Sequence, residues 1–419
     1  MKTLILLWKL PLLPITLAVA MWSLSANALL TPEALIDAAN TSNPSIESLQ
    51  ARHQRDNYIA QTKGRLSEPE LFVGILPNSF SSSMGTRGVL QVSQKLPWLG
   101  KLSLERDIAN SAVEASTYDV ELALRELRYT AEYYWAEWWY IHQALASNRM
   151  TESLYQQLLK TASTKYENGA GSQQDFLSAQ TQLMHIQHYA IVLGEQRAMI
   201  KSDINTLQHR DSNTAVESPA GLPSAFTVDS VANLRRSLDS HPAIKTLGAK
   251  SDAAGAKRQL ASRNRFPDLV AQAAYFSNRD PNDKRLQLGV GFEIPFDQSR
   301  RQANIHATEY QQKAVQRDLA HTRATLEGEI TKALSRIRQR QHIVHLYSQR
   351  LESLATKNRS AALNDYTSGQ NDFSAIAEAT RLTFDVSLTL ARARADLFIA
   401  YAELTKIVGD QADAVGEPS

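Results

Sequence analysis

The chain has 419 residues, of which 45 are Lys or Arg and 43 are Asp or Glu, and it contains no cysteine. The missing cysteine excludes disulfides, thiolate metal sites, cysteine nucleophiles and a lipid-bearing cysteine. The balance of charge argues against nucleic-acid binding, which needs a surplus of basic residues on one face.

Residues 1–28 have the pattern of a secretory signal peptide. Lys2 and Lys9 precede an apolar stretch that begins at Leu10. Ala26-Asn27-Ala28 after it matches a small-residue cleavage site. Cleavage after Ala28 would leave 43 basic and 43 acidic residues, so we expect an exported mature chain with no net charge.

The remainder of the chain is a tandem repeat. Pro44 matches Pro242 at an offset of 198 residues, and Gly169 matches Gly369 at an offset of 200. Prolines and glycines that recur at a nearly constant offset mark a duplicated unit. The predicted organisation is a first repeat over 29–208, a linker over 209–229, a second repeat over 230–409 and a flexible tail over 410–419.

Each repeat is predicted to contain a helix, two strands, a very long helix, a turn and a returning helix. The strands are predicted at about 70–77, 87–96, 268–277 and 285–294. The clearest signal runs from Leu286 to Ile294, where apolar residues alternate with polar residues and glycine.

The alternation of apolar and polar residues along the strands is also compatible with two ordinary hairpins packed on a soluble core. In an exported protein, however, strands of about 9–11 residues with one apolar face fit the wall of a transmembrane barrel. Four strands cannot close a barrel, because the smallest have about 8 and an open edge is not tolerated in lipid. Membrane insertion would therefore require several chains to share one barrel.

The segment from Lys101 to Glu167 contains neither proline nor glycine, so it predicts one helix of roughly 100 Å. Apolar residues spaced alternately by four and three predict a coiled-coil seam along it. The seam residues are Val120, Leu124, Leu127, Ala131, Tyr134, Trp138, Ile141 and Leu145. The second repeat has a less regular version, from Ile330 to Leu351.

Residues 133–140 contain six aromatic side chains. Aromatic clusters at helical spacing usually serve packing, and here they point to all sides of the helix. We therefore expect a neighbouring layer to cover the long helix at this height. A membrane-interface belt is less favoured, because ~55–65 Å of helix separate the run from the strands.

The two hairpin turns carry the most specific motif, YENGAGSQQDFLSAQ over 166–180 and YTSGQNDFSAIAEAT over 366–380. With the duplicated unit and the strand pairs, they make the chain resemble the TolC family of outer-membrane efflux proteins. The resemblance implies a mainly α fold with a small β-barrel part. Three chains would form a 12-stranded outer-membrane barrel and a periplasmic α-helical tunnel.

The junction between strand and helix, VSQKLPWLGKL over 92–102, is most similar to that of the heavy-metal branch of the family. Its marked positions are Pro97, Gly100 and Lys101. The second repeat keeps the proline as Pro295 but lacks the glycine and lysine, so the signature occurs once. The leading cargo is therefore heavy-metal cations, and the alternatives are drugs or proteins secreted by a type I system.

The resemblance assigns roles to the hairpin tips. Tyr166, Gly169, Tyr366 and Gly369 would form the periplasmic turns that close the tube and dock the adaptor, and both glycines are expected to adopt positive φ. In the alternative interpretation, Tyr166 and Tyr366 only stabilise the turns by packing.

Acidic residues near the tips are candidates for the gate or pore. Rings of carboxylates concentrate cations in a narrow pore, and the candidates are Asp175, Asp372 and Glu378. A solvated surface role is the alternative for each of them.

The sequence contains no catalytic or nucleotide-binding motif, so we expect neither enzymatic activity nor a cofactor. The pairs His185/His188 and His342/His345 do not occupy equivalent positions in the two repeats, and we interpret them as surface residues. The predicted function is a homotrimeric, non-lipidated channel in the Gram-negative outer membrane, working with a periplasmic adaptor and an inner-membrane RND pump. The less favoured alternative is a soluble periplasmic coiled-coil scaffold.

Overall fold

A computed structural model describes residues 29–76, 87–223, 228–277 and 284–409. The predicted signal peptide, the predicted tail over 410–419 and part of the predicted linker lie outside these ranges. The described chain is mostly helical, and its strands form one four-stranded sheet. Among the described helices, none combines the length and the apolar character needed to cross a membrane.

The first repeat contains helices on either side of a strand pair. Its elements are α1 Pro32–Ser42, α2 Pro44–Thr62, β1 Glu70–Leu76, β2 Arg87–Leu96, α3 Lys101–Glu167 and α4 Gln173–Leu207. The prediction of a single helix before the strands is wrong, because Pro44 disfavours helical backbone at the residue before it. Asn43 is extended there, and its side chain caps α2 by accepting a hydrogen bond from the Ser45 N–H at 3.0 Å.

The second repeat has the same order of elements. They are α5 Val231–Ser237, α6 Pro242–Arg263, β3 Asp268–Ser277, β4 Lys284–Glu293, α7 Gln298–Leu346, α8 Glu352–Ser368 and α9 Phe373–Val408. A 3₁₀ turn at Leu238–Ser240 separates α5 from α6. His241, which is equivalent to Asn43, precedes the proline here and caps α6 by accepting from the Ala243 N–H at 3.1 Å.

The two hairpins share one antiparallel sheet, in the order β1-β2-β3-β4. The hairpins pair through β2 and β3, where Val92 lies opposite Ala273. The outer pairs continue the same row, with Leu71 opposite Val92 and Leu288 opposite Ala273. Strand β4 begins and ends one residue earlier than predicted. Strands β1 and β4 are the two edges of the described sheet.

Helix α3 is continuous over 67 residues, so it extends for roughly 100 Å. The prediction of one helix from Lys101 to Glu167 is confirmed. Four of the predicted seam residues, Leu127, Ala131, Trp138 and Ile141, are buried, and the other four are half-buried.

The corresponding helix of the second repeat is interrupted, contrary to the prediction of one very long helix. A π-helical turn at Tyr347–Leu351 separates α7 from α8, and the Glu352 N–H donates to the Tyr347 carbonyl five residues earlier. From Pro295 to Gly369 the second repeat is two residues longer than the first is from Pro97 to Gly169. A π-helical turn accommodates one extra residue without ending a helix, so it absorbs part of this insertion.

The aromatic run of α3 lies beneath a covering layer, as predicted. The Trp135 Nε1–H donates to the Leu30 carbonyl at 2.7 Å, and the Trp138 Nε1–H donates to the Glu217 carbonyl at 2.8 Å. The segment before α1 and the linker therefore both cross α3 at this height. Apolar residues of α1, α4 and α9 complete this core.

Candidate functional site

The sheet has one apolar and one polar face. On the apolar face Leu71, Val73, Leu286, Leu288 and Val290 are between 65% and 76% exposed. They come from both edge strands, so the exposed apolar surface extends across the sheet. Contiguous apolar surface of this kind marks contact with a membrane or with another protein.

The polar face carries uncharged amides and glycines across its middle. The Gln91 side chain donates to the Gln272 side chain across strands β2 and β3 at 3.5 Å, and Gly289 lies opposite Gln272 on β4. Apolar side chains also lie on this face. Phe72 is opposite Gln91 and more than half exposed, and Phe276 is opposite Val89. The face can line an aqueous passage while offering few strong contacts to a solute.

The first strand–helix junction depends on the backbone of Gly100. This residue precedes α3 with φ +83°, and a Cβ built there would lie 2.4 Å from Arg263 Nη1. The same guanidinium nitrogen donates to the Leu99 carbonyl at 2.5 Å. The positive φ therefore accounts for the glycine of the predicted junction motif, and the Arg263 side chain of α6 packs directly against it.

The lysine of that motif is buried and serves the opposite repeat. Lys101 Nζ forms an ion pair with Asp268 Oδ1 at 2.7 Å and donates to the Phe266 carbonyl at 3.2 Å. Asp268 also accepts from the Trp98 N–H at 2.9 Å, and the Trp98 ring stacks on Phe266. The lysine of the motif thus links the first repeat to an acid of the second.

A second ion pair shows how the repeats have diverged. Lys95 of β2 pairs with Glu293 of β4, and these two residues occupy equivalent positions at the offset of 198. Sequence comparison of the two repeats contains this signal, because a lysine in one copy aligns with a glutamate in the other. The predictions did not use it, and they missed Asp268 and Glu293.

The second junction is built differently around Pro295. The proline is buried, whereas the next residue, Phe296, is 85% exposed. Asp297 caps α7 by accepting from the Arg300 N–H at 2.9 Å. A carboxylate cap therefore starts α7, whereas Gly100 starts α3 without any side-chain cap.

Both tip glycines adopt the predicted conformation, with φ +71° at Gly169 and φ +76° at Gly369. The structure does not bring the two tip tyrosines to the same environment. Tyr166 is 46% exposed and stacks on Phe176, whereas Tyr366 is 2% exposed and packs edge-on against Phe373.

Contacts between the two hairpins explain the burial of Tyr366. Lys165 Nζ lies 4.3 Å from the centre of the Tyr366 ring and also donates to the Tyr366 carbonyl. Ala179 and Ala379, the alanines ten residues after each tip glycine, are both buried in the shared core of the hairpins. Small residues there let the helices approach closely. Lys165 was missed because nothing in its local sequence indicates this contact.

The three candidate acids lie near the tips in different settings. Asp175 is in the first turn of α4, where its N–H donates to the capping Ser172 hydroxyl at 3.0 Å. Asp372 occupies the cap position of α9 without a side-chain capping bond. Glu378 forms an ion pair with Arg381 at 2.7 Å, which lowers the pKa of its carboxyl. Glu378 therefore stays ionised, beside an arginine of its own helix at the protein surface.

A charged network lies farther along the hairpin wall. Arg392 of α9 bonds to Glu137 of α3 at 2.7 Å and to Asp396 at 2.5 Å, and Arg340 of α7 joins Asp396 at 3.1 Å. Burial alone would lower the pKa of Arg392, but the two carboxylates raise it above its ordinary value. The network ties three helices together and has no free charge for a ligand.

The two histidine pairs singled out in the sequence lie at the protein surface. His185, His188, His342 and His345 are all exposed. Over the ranges that the structure describes, no group of three or more His, Asp and Glu side chains is arranged to hold a metal ion.

Comparison with known proteins identifies the fold. Residues 233–410 match the family model described as "outer membrane efflux protein". Among solved structures, the outer-membrane channel OprN superposes with a TM-score of 0.80 at 15% identity, over 90% of this chain and 89% of that one. This chain has the TolC-like fold of the outer-membrane channels.

Two further channels give the same result. VceC of Vibrio cholerae has a TM-score of 0.78 at 15% identity, covering 90% of this chain and 96% of that one. CusC, described for transmembrane channel formation, has a TM-score of 0.76 at 15% identity, with 90% and 92% covered. A sequence comparison with curated proteins gives no significant match. Equal identity to several channels does not select one branch of the fold.

Proposed function

We propose that this chain is the outer-membrane channel subunit of an efflux system and conducts its cargo passively. The observation that carries the proposal is the single sheet with one exposed apolar face, joined directly to two long helices, α3 of roughly 100 Å and α7 of roughly 70 Å. Such a sheet fits a membrane wall, and such helices reach far beyond it. The match of residues 233–410 to the outer membrane efflux model supports the same function.

The subunit would work as a homotrimer. Strands β1 and β4 are unpaired edges of the described sheet, and pairing β1 of one copy with β4 of the next removes both edges from lipid. Three copies give twelve strands, within the range of known barrels. Purified protein should run as a trimer in detergent and form pores in planar bilayers. A monomer without pores would contradict the proposal.

The periplasmic tips would receive an adaptor that connects the channel to an inner-membrane RND pump. Tyr166 and the backbone around Gly169 are exposed and available for docking, whereas Tyr366 and Phe373 hold the second hairpin in place. Cross-linking through cysteines introduced near Gly169 in the otherwise cysteine-free chain tests this assignment. We expect adducts with the adaptor at this tip, and none from an exposed site on α2.

The leading cargo is heavy-metal cations, supported by the junction motif with Pro97, Gly100 and Lys101. The candidate acids Asp175 and Asp372 would favour cations at the tip. The alternative cargoes, drugs or proteins secreted by a type I system, would use the same channel fold. A deletion strain tested against copper, silver, zinc, cobalt, cadmium and a drug panel separates them. Sensitivity to drugs alone would contradict the metal assignment.

The competing soluble scaffold predicts different behaviour during fractionation. A periplasmic scaffold would be removed from membranes by carbonate, whereas a barrel subunit would stay in the pellet. The exposed apolar row of Leu71, Val73, Leu286, Leu288 and Val290 favours retention in the membrane.

A further inference from the structure

A cavity of about 330 Å³ lies where the start of α5 meets α7 and α9. Its walls include Val228 and Val231 beside α5, Leu334 and Ile337 of α7, and Tyr401 of α9. Val228 is 37% exposed and Val231 is 40% exposed. This cavity, called the α5 recess below, is therefore an open apolar surface within the described part of the chain.

The walls of the α5 recess have counterparts in the first repeat. At an offset of 199 residues, between the 198 and 200 of the flanking segments, Leu334 and Ile337 correspond to Trp135 and Trp138. All four side chains are buried. Because leucine and isoleucine are smaller than tryptophan, the second repeat has space at this height that indole rings fill in the first.

The linker covers the counterpart of the α5 recess in the first repeat. Leu30 forms a parallel bridge with Pro219, and the Leu30 N–H donates to the Ser218 carbonyl at 2.8 Å. Leu30 corresponds to Asp229 at the same offset of 199. Among the described residues, neither the N–H nor the carbonyl of Asp229 bonds to another backbone group. The second repeat thus offers the backbone groups to which the linker binds in the first.

The segment that follows α9 repeats the sequence of the linker. Ala215-Val216-Glu217-Ser218-Pro219 aligns with Ala414-Val415-Gly416-Glu417-Pro418, again at an offset of 199. The helices before the two segments also end alike, with φ +51° at His209 after α4 and φ +82° at Gly409 after α9. A positive φ ends a helix and redirects the chain. The duplication therefore extends past α9 into residues 410–419.

We propose that residues 410–419 occupy the α5 recess, and that Asp229 and Pro418 form a parallel bridge equivalent to the bridge between Leu30 and Pro219. The segment would hold α5 against α7 and α9, as the linker holds α1 against α3 and α4. This contact lies within one chain, so the inference does not depend on the proposed channel or on membrane insertion.

Reach and charge both fit this occupant. Helix α9 extends ~12 Å from Tyr401 in the recess to Gly409, and the nine residues from Gly409 to Pro418 can span roughly 30 Å. Residues 410–419 contain three acidic residues and no basic one, and the exposed Arg338 lines the recess. An acidic segment is therefore complementary to this surface.

Pairs of introduced cysteines test the contact, since the full chain contains no other cysteine. After oxidation, we expect Asp229→Cys/Pro418→Cys to form a disulfide within one chain, because bridged residues lie within the Cα separation that a disulfide spans. Leu30→Cys/Pro219→Cys is the matched positive control from the first repeat. Leu30→Cys/Pro418→Cys is the negative control and should not form a disulfide. Peptide mapping by mass spectrometry without reduction measures all three.

Two results of this experiment would overturn the inference. If Leu30→Cys/Pro219→Cys forms its disulfide and Asp229→Cys/Pro418→Cys does not, the flexible tail predicted from the sequence is favoured. If single Asp229→Cys chains mixed with single Pro418→Cys chains form a disulfide between chains, a second copy fills the recess.

Hydrogen exchange gives a second test that needs no cysteine. We expect Val415→Asp to accelerate exchange of the α5 amides about tenfold, because it places a carboxylate on the apolar wall of the recess. Ala412→Asp, outside the repeated motif, should exchange like wild type, and the α1 amides should be unchanged in both variants. Unchanged exchange of α5 in Val415→Asp would overturn the inference.

Discussion

The two hairpin tips share a motif and a backbone conformation but differ in what their tyrosines contact. Gly169 and Gly369 have nearly the same positive φ, yet Tyr166 is exposed and Tyr366 is buried against Phe373. The motif therefore determines the turn, whereas the packing of one hairpin on the other determines the role of the tyrosine. The first tip presents a surface and the second is anchored.

The largest effect should come from truncating the anchored tyrosine. We expect Tyr366→Ala to destabilise the protein by about 3–5 kcal/mol, because it empties a buried aromatic site. Tyr166→Ala should change stability by only roughly 0.5 kcal/mol. Thermal unfolding in detergent measures both. Tyr366→Phe is the control, since the buried Tyr366 hydroxyl has no hydrogen-bond partner among the described atoms, and a large loss there would contradict this account.

Replacing each tip glycine tests whether the backbones are equivalent. A Cβ at Gly169 or Gly369 meets no atom within 4 Å, so the only penalty of alanine is its positive φ. We expect Gly169→Ala and Gly369→Ala to destabilise by similar amounts, about 1–2 kcal/mol. Parallel unfolding measurements check this, and a large difference between the two variants would show that the turns are not equivalent.

Removing the cation that joins the tips should have a smaller effect. Lys165→Met keeps the apolar stem but removes the cation from the Tyr366 ring and the hydrogen bond to its carbonyl, so we expect a loss of ~1 kcal/mol. Limited proteolysis should cut the second tip faster in this variant. Lys160→Met, at an exposed position on the same helix, should behave like wild type.

An effect confined to acid pH concerns the proline-preceding caps, Asn43 in the first repeat and His241 in the second. Burial, with a smaller contribution from Arg125, lowers the pKa of His241 to about 4 from an ordinary 6.5. Because the unfolded chain binds the proton more readily, stability should fall as the pH drops from 6.5 towards 4, with uptake of about one proton on unfolding. His241→Asn, which installs the residue of the first repeat, should flatten this part of the pH profile of thermal unfolding. An unchanged slope would assign the pH dependence to other groups.

Several parts of the fold were predictable because their signals are local. The missing proline and glycine between Lys101 and Glu167 suffice for one long helix, and alternation over Leu286–Ile294 suffices for a strand. The break before Pro44 was also present in the sequence but was missed. The π-helical turn at Tyr347–Leu351 was not predicted. The sequence does contain a related signal, because the repeat offset increases from 198 to 200 over the segment that includes this turn.

The sites were less predictable, because their partners lie far apart along the chain. Lys101 belongs to a recognisable motif, but its pairing with Asp268 joins residues of different repeats. Glu378 was a candidate for the pore, and its ion pair with the exposed Arg381 of the same helix was not anticipated. The docking role of the tips and the role of the three acids stay predictions.

The sequence by itself determined the duplicated architecture, the four strands, the unbroken α3 and the two positive-φ turns. Each depends on residues within one element, through backbone sterics and the periodicity of apolar side chains. Only the tertiary structure decided that the hairpins share one sheet, that Lys101 is buried beside Asp268 and that Tyr366 is covered while Tyr166 is not. Those outcomes depend on contacts between repeats, and a duplicated sequence does not specify which copy will cover the other.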